Sequence, residues 1–360
     1  MRTARITLGT RPTENLVGAV LTRDLSIAGE RWSKGRRLSA ADLDRLAAPR
    51  HEGDSGPRLR GMAAGEAVHV TALILEPGDL HEDEAGCRLA TAVAGPGTTL
   101  RGPNESRVDL LAATDGVVRV RTAALERINR IDPLEVFTVF DGQVVRAGDL
   151  VASVKVAPHV VDEMILQAGE RIARAAPIVE VAPFAARRAA VLVKESVAGP
   201  ARERFERSVR QKIEGLGSTI VAIVYVEDDA AAVEAALAPW VTGRDAVDLV
   251  LTAGGASTDP DDPFFIALHA LGGRVVRHGV PAHPGSMLWL GRVRRTTILG
   301  LPTCGAYSRA TAADLLIPRL LAGEPPTVAT VAKLGYGGVL GREMRFRFPA
   351  YALDLEAPEG

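Results

Sequence analysis

The sequence predicts an α/β fold: a three-layer, mostly parallel sheet domain over residues 188–324, preceded by a β-rich N-terminal region over 1–160. Three observations carry this. From Arg188 onward, short apolar runs alternate with amphipathic helical stretches, a βαβα order that packs as a parallel sheet covered on both faces. Residues 1–160 instead give short strand-like runs broken by Gly-Asp and Asp-Gly turns. Finally, 360 residues of which 47% are hydrophobic suffice to bury cores in two or three domains.

In the N-terminal half, VHVTALI from Val68 begins as a half-buried strand, and ADLDRLA and EDEAGCRLATAV are the helical stretches. The run from Val108 to Pro158 reads as short strands separated by turns, which suggests a compact barrel or sandwich. Gly78-Asp79, Asp115-Gly116, Asp141-Gly142 and Gly148-Asp149 are hairpin chemistry and carry no catalytic weight. Residues 50–66, polar and glycine-rich, read as an exposed loop that limited proteolysis would cut first. A helix from His159 then leads through a connecting segment, 161–187.

The second half reads in order. AAVLV is a buried strand, and RFERSVRQKIEGLG sets Phe205, Val209, Ile213 and Leu216 on one helical stripe. TIVAIVYV is the next strand, and Asp229 caps a helix whose Val233, Ala236, Leu237 and Trp240 share a face. VDLVL follows as a strand, Pro263 suits the first turn of the helix FFIALHALGG, and RVVRHG and TTILGLP are further strands. A helix from about Ser308 to Leu321 closes the domain. The remainder, 325–360, reads as a short β tail with MRFRFPAYALDLE as an alternating edge strand.

Composition narrows the function classes. A net charge of -1 and 4% aromatic residues argue against a nucleic-acid platform. No apolar run reaches the roughly 18 residues of a membrane span, and MRTARITLGTRPTENLVGAVL has neither the apolar core nor the cleavage site of a signal peptide, so the expectation is a cytoplasmic protein without nucleic-acid or membrane partners. Cys87 and Cys304 are far apart and make no metal-ligand spacing.

In open parallel sheets, ligands sit beyond the carboxyl ends of the strands. Two loops hold that position: TAGGASTDPDD after VDLVL, and LPTCGAYS after TTILG. Gly254 and Gly255 admit positive φ and close backbone approach, so main-chain amides with the Ser257 and Thr258 hydroxyls can bind an anion at the following helix N-terminus. Asp259 and Asp262 can hold a Mg²⁺ that bridges to phosphate oxygens, yet Asp259 also suits a turn and Asp262, just before Pro263, a helix N-cap. In the second loop Thr303, Gly305 and Ser308 can point donors at an anion or simply cap a helix.

These residues carry a resemblance. The segment from about Arg188 to Glu324 resembles the molybdenum cofactor biosynthesis domain shared by MoeA, MogA and MoaB proteins. Its strand, SGG turn and following aspartate are matched by LVLTAGGASTDPDD, with Gly254, Gly255 and Asp262 in register. The family's HGVAMKPGKP is matched by HGVPAHPGSM from His278, and its GLPGNPVS by GLPTCGAYS from Gly300. The resemblance implies that the domain binds molybdopterin or adenylated molybdopterin, with molybdate and an apo-molybdoenzyme as further partners and Mg²⁺ present in the larger members. It implies cofactor contacts from Pro284, Gly285, Ser286, Pro302 and Cys304 besides those above, and catalytic carboxylates at Asp262 and Glu195.

The departures are specific. Ser286 stands where the family has a lysine, Thr303-Cys304-Gly305 replaces GNP, and Lys194-Glu195-Ser196 answers the family's TGDE. No DNSAMDGYA-type signature occurs in the N-terminal half, and about 36 residues follow Glu324, too few for the usual C-terminal barrel. The chain is therefore similar to divergent molybdopterin-binding relatives rather than to standard MoeA. The functions implied are molybdopterin binding in cofactor biosynthesis or molybdoenzyme maturation with molybdotransferase-like activity, a non-catalytic molybdopterin carrier, or a nucleotide-processing enzyme on the same domain. A homodimer is expected, because the apolar faces of the N-terminal half exceed what its short strands can bury.

Other candidates are weaker. His278 and His283 make a two-histidine spacing common in loops. Ser308 lacks triad partners at readable spacing, Cys304 suits a small inert thiol, and GYGGVLG from Gly335 lacks the strand and helix of a dinucleotide fingerprint.

Overall fold

The computed structural model describes residues 1–48, 68–194, 199–255, 257–301 and 310–354. The loop expected at 50–66 lies outside them. Two compact units result: Met1–Ala113 with Val120–Val139 and Gly148–Glu180, and Thr114–Arg119 with Phe140–Ala147 and everything from Val181.

In the first unit, β1 (Arg2–Thr7), β2 (Val20–Leu21), the hairpin β3 (Leu25–Ile27) and β4 (Glu30–Trp32), helix α1 (Ala40–Ala47) and β5 (His69–Ile74) enclose a core around Ile6, Leu21, Trp32, Leu43, Leu46 and Val70. The Arg36 and Arg45 guanidiniums lie 4.4 and 4.9 Å from the Trp32 ring, covering its face. Beyond β6 (Asp79–His81), helix α2 (Glu82–Val93) presents Ala85, Leu89, Ala90 and Val93 as its buried stripe. It lies on a sheet built from β7 (Thr98–Asn104), β8 (Arg107–Ala112) and two strands that follow β9 (Gly116–Val120) and helix α3 (Thr122–Asn129). These are β10 (Leu134–Thr138) and, after the short β11 (Val144–Val145), β12 (Leu150–Val156). The order is β10-β12-β8-β7, antiparallel throughout.

The N-terminal half is thus β-rich, its strands divided among several small sheets, with α2 packed on the four-stranded one. α3 interrupts the run read as strands because TAALERIN is rich in helix formers and sets Ala124 and Ile128, four apart, into the core. The helix expected from His159 begins at Glu163: Val160–Asp162 is a strand (β13) paired with β6, and the Asp162 carboxylate accepts from the Met164 amide as the cap of α4 (Glu163–Ala173).

The second unit holds the expected three-layer domain. After β14 (Val179–Pro183) come β15 (Arg188–Val193), α5 (Pro200–Glu214), β16 (Thr219–Tyr225), α6 (Ala230–Thr242), β17 (Leu249–Ala253), α7 (Pro263–Ala270), β18 (Arg274–His278), β19 (Trp289–Val293), β20 (Thr296–Gly300) and α8 (Ala312–Leu321). The sheet order is β16-β15-β17-β20-β19-β18; the first four are parallel, and only β19 runs against the rest. Because strand side chains alternate, Ala189, Val191 and Val193 meet Phe205, Val209 and Ile213 of α5 on one face, while Ala190 and Leu192 meet Val233, Leu237 and Trp240 of α6 on the other. β19 is absent from the sequence reading: its turn to β20 uses Arg294 at φ 50°, with no Asn-Gly signal to announce a hairpin.

Among the described residues the tail forms no strand. Val328–Ala332 (α9) and Ala350–Asp354 (α10) are helical, and Arg342–Arg347 forms a 3-10 turn. Pro349 opens a helical turn by accepting from the Ala352 amide, and Phe348 and Ala352, four apart, enter the core that α5 caps.

Candidate functional site

The carboxyl ends of β15, β17 and β20 lie side by side. Val193 is opposite Ala253, Thr252 is opposite Gly300, the Lys194 amide donates to Ala253 O at 3.1 Å and the Leu301 amide to Thr252 O at 2.7 Å. The chain therefore leaves three neighbouring strands at one rim, where the sequence places its candidate loops.

The turn after β17 opens at Gly254, held at φ 88°, a conformation that disfavours any side chain. Gly255 is constrained differently from the sequence expectation. It does not take positive φ; a Cβ there would lie 3.0 Å from Cδ2 of Phe264 and 3.7 Å from the Asp262 carboxylate. Ser257 and Thr258 line a cavity of about 410 Å³ together with Pro260, Phe265, His269, Val275 and His278. Phe265, on its wall, meets the His278 ring edge-on at 5.0 Å, and Trp289, outside the lining, at 5.0 Å. Trp289 in turn lies over Gly300, whose lack of a side chain makes room for the indole.

Asp262 is the N-cap of α7, its Oδ1 accepting from the Phe264 amide at 2.9 Å. It is 3% exposed, and its Oδ2 receives the Lys194 ammonium at 3.0 Å. Lys194, just past β15, also donates to Asp228 Oδ1 at 2.6 Å, and its Nζ stands 5.6 Å from the centroid of Phe264. Burial acts to lower the Lys194 pKa; the hydrogen bonds to Asp228 and Asp262 outweigh it and hold the ammonium above the ordinary lysine value.

Sequence reasoning missed Lys194 and Asp228, noting the lysine only as a neighbour of Glu195. The available signal was positional: an ionisable residue directly following an all-apolar strand, and an acidic stretch, Glu227-Asp228-Asp229, at the equivalent end of β16.

Asp259 is exposed, and its Oδ1 accepts from the Asp261 amide at 2.9 Å, the turn role. The Mg²⁺ expectation at Asp259 and Asp262 fits poorly, because the Asp262 carboxylate already holds an ammonium and a backbone amide. Among the described residues no group of three or more His, Cys, Asp or Glu side chains is suited to a metal ion. Nor is any helix among them long and apolar enough to cross a membrane.

Pro284, Gly285 and Ser286 gather at a different point, the start of α8. Pro284 O accepts from the Ala312 amide at 2.9 Å, and Gly285, at φ 106°, brings its Cα so close that a Cβ would lie 2.8 Å from that same nitrogen. Thr311 caps α8 in a capping box with Asp314. The Ser286 carbonyl is taken by the Val280 amide at 2.9 Å. Glu195, Pro302, Thr303, Cys304, Gly305 and Ser308 lie outside the described residues.

The family described as "Probable molybdopterin binding domain" matches residues 190–322. The molybdopterin biosynthesis MoeA protein of Pyrococcus horikosii is similar in structure at 15% identity, covering 68% of this chain and 81% of its own, with a TM-score of 0.30. The molybdopterin biosynthesis enzyme MoaB from Thermus thermophilus is similar at 23% identity, covering 42% of this chain and 97% of its own, with a TM-score of 0.27. At such scores these two likenesses carry no argument by themselves. No curated protein matches the chain.

Proposed function

We propose, from the match of residues 190–322 to the family described as "Probable molybdopterin binding domain", that this chain binds molybdopterin at the turn that follows β17. The observation that carries the reading is the turn after β17. Gly254 at φ 88° turns the backbone there, and Ser257 and Thr258 put hydroxyls on the wall of a cavity whose other residues are apolar or imidazole. An aromatic and aliphatic lining with a few polar groups suits a planar heterocycle carrying an anionic substituent. On this reading Gly254, Gly255, Ser257 and Thr258 receive the phosphate end, and His269 and His278 offer hydrogen bonds to the ring system. Pro284, Gly285 and Ser286, gathered at the start of α8, are further pterin contacts on this proposal. Adenylated molybdopterin, molybdate, an apo-molybdoenzyme and a homodimeric assembly belong to the same proposal.

Of the two activities, carrier and molybdotransferase-like, the carrier is favoured. Asp262, the carboxylate a transferase would use with Mg²⁺, is committed to Lys194 at 3.0 Å. The test is co-purification. The protein is expressed in a host that makes the cofactor, purified, and its bound pterin oxidised to fluorescent products. Near-stoichiometric fluorescence that falls to background in Gly254→Val supports the reading; a pterin-free protein refutes it.

A further inference from the structure

We infer that Lys194 is the built-in cation of the site, standing where a divalent metal would bind, and that the exposed Asp228 carboxylate is a placeholder which an incoming oxyanion displaces from it. The inference rests on the molybdopterin reading only for the identity of the natural ligand. Its geometry stands on three side chains.

The two carboxylates on Lys194 differ in kind. Asp262 has a side chain 2% exposed, is fixed as the cap of α7 by its bond to the Phe264 amide, and meets Nζ at 3.0 Å. Asp228 has a side chain 66% exposed, stands just before α6, and meets Nζ at 2.6 Å. The first is buried permanently and needs a permanent counterion; an ammonium held by a rigid strand end supplies it. The second gains little from an ion pair that water can replace, so it leaves at small cost. An ammonium has three donors, and the two carboxylates take two of them. Among the described residues only the Phe264 ring, 5.6 Å away, faces Nζ besides the carboxylates.

With Asp228 in place the three groups sum to a charge of about -1, which repels an anion; with Asp228 swung into solvent, Lys194 and Asp262 sum to zero and the ammonium is open to a phosphate or other tetrahedral oxyanion. Exchange of the carboxylate for a singly charged oxyanion conserves the local charge and needs no metal, so the monoanionic form of phosphate is the one favoured. A divalent cation, by contrast, would have to displace a buried ammonium from its only fixed partner.

The test uses the full-length protein, with Mn²⁺ followed by EPR and inorganic phosphate followed by calorimetry in metal-free buffer. The wild type is expected to bind no Mn²⁺ at this site, and phosphate with an affinity that added Mg²⁺ does not change. Asp228→Asn is expected to bind phosphate about tenfold more tightly, and Lys194→Met to lose phosphate binding. Wild-type Mn²⁺ binding that disappears in Asp262→Asn overturns the assignment of Lys194 as the cation, and this arm does not require Lys194→Met to fold. Equal or weaker phosphate binding by Asp228→Asn, or no phosphate binding by either protein, overturns the placeholder. Failure to co-purify a pterin would leave these outcomes unchanged, so the two readings fail separately.

Discussion

Asp262→Asn separates a helix cap from a buried ion pair. As a cap alone, asparagine is equivalent to aspartate, and the substitution should leave stability unchanged. The structure adds the Lys194 ammonium 3.0 Å from Oδ2, with the two side chains 3% and 2% exposed. Removing one partner of a buried pair typically costs about 3–5 kcal/mol. Here Asp228 remains on Lys194 at 2.6 Å, so part of the countercharge survives and the expected loss is about 2–3 kcal/mol. With a urea slope of about 2–3 kcal/mol per molar, the midpoint should fall by about 1 M. The measurement is urea unfolding followed by tryptophan fluorescence, reported in this unit by Trp240 and Trp289. A double-mutant cycle with Lys194→Met should give a coupling of about 2 kcal/mol. A midpoint shift below about 0.2 M, or a coupling near zero, would refute the ion-pair reasoning and restore Asp262 to the role of cap.

Gly285→Ala should destabilise by about 2–4 kcal/mol, from positive φ and from a Cβ only 2.8 Å from the Ala312 nitrogen, whereas Gly279→Ala, whose nearest contact is 3.4 Å away, should cost about 1–2 kcal/mol; equal losses in thermal melts would show that packing at α8 is not the cause. Lys212→Met should cost about 3–5 kcal/mol, because Lys212 and Asp314 are fully buried partners and the change strands the Asp314 charge; an unchanged melting temperature would contradict this. Asp109 gives the pH test. Burial alone would raise its pKa, but Ser153, Arg101 and Arg107 hold it at about 2 against an ordinary 3.8. A depressed carboxylate pKa contributes stability above the unfolded value and loses it as pH falls through the folded one, so about 2 kcal/mol should disappear from the first unit between about pH 4 and pH 2. In Asp109→Asn, unfolding followed by Trp32 fluorescence should show that part of the acid dependence flattened; an unchanged acid limb in the variant would refute it.

Much of the fold was legible because it depends on neighbours in the chain. The stripe Phe205, Val209 and Ile213, the all-apolar strand AAVLV, and the caps at Asp229 and Asp262 are short-range patterns and formed as read, whereas Leu216, read on the same stripe, is buried just past the helix end at Glu214. The glycine turn was legible for the same reason, since φ 88° at Gly254 is a local backbone requirement. Tertiary structure decided what those elements meet. Gly255 is constrained by Phe264 packing back on the turn, Gly285 by a helix that begins 27 residues later in the chain at Ala312, and the tail by a core that takes Phe348 and Ala352 as a helical pair. Most consequentially, Lys194 reaches Asp228 and Asp262, partners 34 and 68 residues away in sequence. A lone lysine beside a glutamate carries no periodicity that names those partners; its pairing exists only because parallel pairing sets the ends of β15 and β17 at one rim, where burial makes a charge find its counterion.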